Sequence, residues 1–372
     1  MKIIKTKYSI TILILLVVLG LSIGFFSVIG TANIGAIDVA RIVLSKLPII
    51  RNYVDISDIS NAHMTIIWTI RLPRVLLGVL VGASLSMAGA AFQGLFKNPM
   101  ADPYVIGISS GAAFGASIAI VLGINISIMN ISAISIFAFI GALGAVFIVI
   151  NISRINHKVP TNNLLLSGIA VSQFLTAILS FLMVLYSKDM AKIVYWTLGS
   201  LSGKGWNPLI SISLPVILSM IVINFFARDL NIMLTGDESA QSLGVDVEKV
   251  KLYILVLGTF MVSMAVSISG IIGFVGLIIP HVARILLGAD NRILLPASAL
   301  IGGIFMVLAD TIARTIISPM EIPVGIITAL FGGPFFLYLL RTSKKVSKYW
   351  LCNVNWSWWN VCHRSGKPTI WI

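Results

Sequence analysis

Apolar residues run through this chain in long blocks broken by short polar stretches, not in the alternation of a half-buried strand or the one-sided stripe of a surface helix. A helix needs ~20 mostly apolar residues to cross a bilayer. Runs of that order fall at 9–29, 64–95, 105–123, 131–150, 164–186, 207–226, 252–272, 293–316 and 322–340. One further run, 274–287, is too short to cross as a straight helix and contains Pro280, His281 and Arg284, so it is expected as a short helix enclosed by protein. The pattern predicts an all-α integral membrane protein with about ten transmembrane helices.

The polar breaks add detail. Residues 30–62 and 187–205 form two segments on one side of the membrane. The largest break on the other side is 227–251. There Thr235 suits a helix N-cap, Asp237 and Glu238 suit a first turn where the helix dipole favours negative charge, and Gly244 suits a stop. The spacing of Ala240 and Leu243 gives this short helix, 235–244, a docking face outside the bilayer. Small residues recur within the apolar runs, among them Gly78, Gly82, Gly89, Gly141, Gly144, Gly302, Gly303 and Gly325, and mark close helix packing. Residues 1–345 read as one membrane domain, and 346–372 as an atypical tail outside it, holding Trp350, Trp356, Trp358, Trp359 and Trp371.

Composition agrees with the pattern. The chain is 58% hydrophobic and 10% charged, with mean hydropathy +1.02; soluble domains carry roughly 25% charged residues. The lipid bilayer is therefore the main solvent of this surface. The net charge of +13 needs no nucleic-acid partner, because no basic patch is interleaved with aromatics. Most of the 26 Lys and Arg fall on one side if the N-terminus lies in the cytoplasm, which puts both termini there. Lys2, Lys5 and Lys7 ahead of an apolar run resemble a signal peptide, but that run reaches Ile29 with no small-residue cleavage pattern, so it reads as a first transmembrane helix.

Little chemistry is written in the chain. There is no GxxxxGK[ST] loop; Ser365-Gly366-Lys367-Pro368-Thr369 lacks its first glycine, and proline replaces the hydroxyl residue. Any nucleotide must bind another polypeptide. No HExxH or GxSxG occurs. Cys352 and Cys362 lack metal or redox spacing, so no metal site and no catalytic residue is expected on this chain. Asp310 is the one candidate for an intramembrane proton relay, and Arg314 four residues on could pair with it along the same helix face.

A resemblance adds to this reading. Arg71-Leu72-Pro73-Arg74, the run Gln93 to Pro103 (QGLFKNPMADP) and Gly107 to Ala112 (GISSGA) resemble, in order, motifs of the FecCD/BtuC-type permease family of type II ABC importers for iron–siderophores, haem and vitamin B12. So do Leu164 to Gly168, Gly236 to Gly244, Gly273 to His281, Leu308 to Asp310 with Arg314, and Glu321 to Gly325. The resemblance spans about residues 10–345. It implies a multi-pass permease of the cell membrane that pairs with a second copy or a close paralogue. Two ATPase subunits, which carry the ATP and magnesium, dock on the cytoplasmic side and a solute-binding protein on the other. It further implies that Arg71, Arg74 and Arg314 face outward to receive carboxylates of the binding protein. Residues 235–244 become the coupling helix in an ATPase groove, and Thr161 and Asn162 a cytoplasmic gate, although Thr161 also reads as a plain helix cap. The implied cargo is an iron(III)–siderophore-type chelate, with cobalamin or haem as alternatives. An ion-coupled secondary transporter working alone, dependent on Asp310, and a membrane-bound enzyme are the rivals from other classes.

Overall fold

A computed structural model describes every residue except Met1, Thr31, Asn33, 47–52, Asn125, 129–130, His157 and 353–372. Most of the tryptophan-rich tail lies outside the described residues. Its first part does not: the last helix continues unbroken to Cys352.

The order of elements follows the apolar runs. Helix α1 (Lys2–Val28) leads to α2 (Ala36–Ser45) and α3 (Asn61–Thr65), which passes through a π-helical stretch, Ile66–Arg71, into α4 (Leu72–Leu95). After α5 (Ile108–Val121), a two-stranded ribbon of β1 (Ser127–Ile128) and β2 (Ile131–Ser132) precedes α6 (Ala133–Ser153). Then come α7 (Thr161–Leu185), α8 (Met190–Thr197) and α9 (Trp206–Phe225). Two short helices, α10 (Ala227–Met233) and α11 (Asp237–Ser242), lead into α12 (Val247–Ser269). The chain closes with α13 (Val275–Leu287), α14 (Asn291–Thr315) and α15 (Val324–Cys352). Seven of these stretches are long and apolar enough to cross a membrane, and 108–121, 275–287 and 324–339 are shorter apolar helices. The expectation at 105–123 is thus shortened, because Asp102 and Pro103 start a separate turn and Gly107 (φ 92°) breaks the chain before α5 begins.

Helix α4 is the axis of the fold. Nearly all its residues are buried, and α9, α12, α13 and α14 pack around it. Lipid offers no hydrophobic drive for helices to associate, so close backbone approach must hold them. The glycines of α4 provide it. A β-carbon on Gly82 would strike the carbonyl oxygen of Gly302, and one on Gly89 would strike that of Gly276. Helices α5, α6 and α7 form a flank joined to this centre through α12, while α1 lies on α14 with its apolar surface exposed. Beside the C-terminal end of α1 sits a small cap in which Ile34, Val39, Ile42, Ile59 and Ile67 form a satellite core. Arg41 fastens it with a two-pronged bond to Asp58 at 2.8 and 2.9 Å.

Candidate functional site

The two ends of the bundle carry separate polar clusters. At the end where α4 and α15 begin, Arg71, Arg74 and Arg314 come together, yet each is buried, with 5, 6 and 5% of its surface exposed. Arg74 is the hub. Its Nε and Nη2 both donate to Asp310 at 2.9 Å, and its Nη1 donates to Glu321 at 2.9 and 3.0 Å. Such a fork suits guanidinium and no other cation. Burial opposes ionisation of Glu321, but the Ser202 hydroxyl and the Arg74 guanidinium together hold its carboxyl below the usual range. Arg71 donates to the carbonyls of Val28 and Ala32 at 2.8 and 2.7 Å, and Arg314 donates to the carbonyl of Phe26 and to Thr311 Oγ1. Two cations thus satisfy carbonyls at and just past the end of α1, where the helix dipole also favours positive charge.

This arrangement corrects two expectations. Asp310 pairs with Arg74, which is 236 positions away, and not with Arg314 on its own helix. And none of the three arginines projects freely into solvent in the isolated chain, because each finds acceptors within it. Glu321 is the more exposed member of the cluster and sits at its surface.

At the other end, α11 has the acidic first turn read from sequence. Its boundaries differ. Gly236 is the N-cap residue, and the Thr235 hydroxyl turns back to the carbonyl of Ile232 at the end of α10. Gly244, at φ 86°, ends the helix: its own N–H bonds to the carbonyl of Gln241, and the Val245 N–H to that of Ala240. That is a Schellman stop, which needs a residue tolerant of positive φ. Ala240 and Leu243 do not form one shared face. Ala240 is fully buried against the bundle, while Leu243 is 68% exposed and projects from its end. Asp237 is gripped by Lys97 and Lys251. Burial pushes its carboxyl up, but the two ammonium groups outweigh that and leave it below the usual range.

Thr161 is the first residue of α7, after Pro160 at the N-cap, so it makes no capping bond. It is half-buried and Asn162 is exposed. A polar knot close to α11 was not foreseen: Asp290 accepts from Tyr8, Asn231 and Arg292, and so joins α1, α10 and α14. An apolar hollow of about 450 Å³ lies between α8, the turn before α13 and α15, lined by Thr197, Leu198, Ile271, Gly273, Gly325, Ile326, Ala329 and Leu330.

Lys97, Lys251 and Glu248 were not legible as site residues. The one signal for Lys251 is its place at the edge of the long apolar run of α12, where a buried lysine demands a partner.

Residues 11–342 match the FecCD transport family. The cobalamin import system permease BtuC of Halobacterium salinarum is 49% identical over 76% of this chain and 75% of its own length. The hemin transport system permease HmuU of Yersinia pestis is 40% identical over 90% of this chain and 95% of its own. A solved metal-chelate-type ABC transporter in an inward-facing conformation superposes with TM-score 0.75 at 28% identity, covering 90% of this chain and 99% of that one.

Proposed function

This chain belongs to the FecCD transport family, the permeases of ABC importers in the cell membrane, and from that premise we propose that it carries an iron(III)–siderophore-type chelate inward on the energy of ATP hydrolysed by partner subunits. The observation that carries the reading is α11. A six-residue helix has little stability of its own, yet it is anchored by Asp237 and Ala240 and offers Leu243 to solvent. A helix held this firmly with one apolar side chain presented outward suits a groove on another protein. That protein is the ATPase, which holds ATP and magnesium; this chain does no chemistry itself.

Two copies of the chain, or one with a close paralogue, enclose the path. The apolar hollow beside α8 and α15 forms part of its wall, and Thr161 and Asn162 stand at its cytoplasmic mouth. An apolar wall suits a large chelate whose own ligands surround the metal and its charge. A solute-binding protein docks at the opposite end, over Glu321 and the loop 316–323. Arg71, Arg74 and Arg314 shape that surface from beneath. Cobalamin is the second reading, favoured by the 49% identical relative.

The test is uptake into proteoliposomes holding the permease, its ATPase and its binding protein. ATP-dependent entry of a labelled ferric siderophore is expected. Entry of cobalamin or haem in its place changes the cargo. Uptake by the permease alone on a proton or sodium gradient overturns the reading. Within the same system, Leu243→Asp is expected to break the ATPase contact. Placing a charge in an apolar interface costs several kcal/mol at most sites, and about 2.7 kcal/mol already means ~100-fold weaker binding. Pull-down of the ATPase by the variant at wild-type yield counts against the coupling role.

A further inference from the structure

The cytoplasmic end holds a line of charged contacts that reaches beyond α11. Asp237 Oδ1 accepts from Lys97 Nζ at 2.6 Å, and Oδ2 accepts from Lys251 Nζ at 2.7 Å. Lys97 stands just past α4 and adopts φ 51°, an uncommon backbone state for a lysine that its surroundings must enforce. Lys251, only 8% exposed, also meets Glu248 Oε1 at 3.4 Å. The second oxygen of Glu248 accepts the backbone N–H of Val159 at 3.1 Å. Val159 lies two residues before Thr161, where α7 begins. The outer bonds of this line are not local, since they join residues 140 and 89 positions apart.

We propose that Lys97, Asp237, Lys251 and Glu248 form a positioning linkage that ties the seat of α11 to the start of α7, so that a displacement of α11 moves the chain at Val159. This rests on the reading of α11 as the helix that seats in the ATPase. The physical case has two parts. First, α11 is too short to hold its own position, so the groups that grip Asp237 set where it lies. Second, the buried Lys251 ammonium lies between two carboxylates, so a shift of Asp237 either carries the lysine with it, away from Glu248, or leaves the lysine with only its longer contact in a poorly solvated place. The linkage ends on a backbone N–H, so it moves main chain and not merely a side chain. Lys97 extends the same tie to the end of α4, the axis of the fold.

The test compares Lys251→Met, Glu248→Ala and Lys251→Arg in the full transporter, reading ATP consumed per chelate moved. Coupling between sites of 1–3 kcal/mol corresponds to about 5–150-fold. Lys251→Met and Glu248→Ala are expected to assemble and hydrolyse ATP while the ratio rises at least about fivefold. Lys251→Arg, which keeps a charged donor, is expected to stay near wild type. That rescue separates linkage from general loss of packing. An unchanged ratio in both Lys251→Met and Glu248→Ala overturns the linkage. Should Lys251→Met fail to assemble, Glu248→Ala decides, since its side chain is the more exposed of the two. Leu243→Asp is the control for the premise. If that variant also leaves assembly and ratio untouched, the coupling reading itself has failed. If it uncouples while the other two do not, only the linkage has.

Discussion

Arg74→Ala is expected to leave the protein without a stable bundle. Asp310 is 2% exposed, and Arg74 is the cation that donates to its carboxylate from both Nε and Nη2. Removing one member of a buried pair while its partner stays costs about 3–5 kcal/mol, because the remaining charge loses its bonded counter-ion where water does not replace it. A domain is stable by only ~5–15 kcal/mol, so the loss takes much of the margin. The same change frees Glu321, but that carboxylate reaches solvent and adds less. The expected readout is a steep fall in the yield of monodisperse protein and in its unfolding temperature in detergent. Two companion variants identify the cause. Arg74→Lys retains the charge but not the fork, and so is expected to fall between wild type and alanine. Combining Arg74→Ala with Asp310→Asn removes the stranded charge and is expected to recover much of the loss. A double variant no better than Arg74→Ala alone would show that something other than the pair holds this end together.

The Arg74 cluster also shows where sequence reading stops. Each of its members was visible: the arginines as unusual charges in an apolar run, Asp310 as a rare intramembrane acid, Glu321 within a family-like motif. Their grouping was not. Spacing suggested Asp310 with Arg314, one helical turn away, but helix partners at that distance compete with partners from other helices, and here a residue on α4 wins. The apolar runs, by contrast, gave the helices almost directly, because a bilayer requires ~20 apolar residues and hydrogen-bonded backbone throughout. The cap built from α2 and residues 53–65 escaped notice because its core is small and its signal is diluted by polar residues. At α11 the acidic turn and the stop at Gly244 were legible as local features. Which side of α11 faces the bundle was not, since a six-residue helix carries too few positions to establish a periodicity.

Gly89→Ala is the second change expected to act strongly, and it tests whether α4 is held by backbone contact. A methyl group at Gly89 would overlap the carbonyl oxygen of Gly276, and it would stand 2.6 and 2.8 Å from the carbonyl carbon and α-carbon of that residue. No rotamer relieves this, because both sides of the clash are main chain. Helices α4 and α13 must part, although Gly276 has no spare room either, since a β-carbon there would stand 2.9 Å from the carbonyl oxygen of Leu85 and 3.0 Å from the Pro103 ring. Overpacking of this kind costs about 1–3 kcal/mol, and a backbone obstacle belongs at the upper end. Intrinsic propensity acts the other way: alanine gains ~1 kcal/mol over glycine in a helix interior. The clash is expected to win, lowering the unfolding temperature and the transport rate together. Gly144→Ala supplies the comparison. It lies within α6, and an added β-carbon there meets nothing within 4 Å. That variant keeps the propensity gain without the clash, so it is expected to be neutral or slightly stabilising. If Gly89→Ala behaves like Gly144→Ala, α4 and α13 are not locked at this point, and the close approach at Gly89 contributes nothing to the fold's axis.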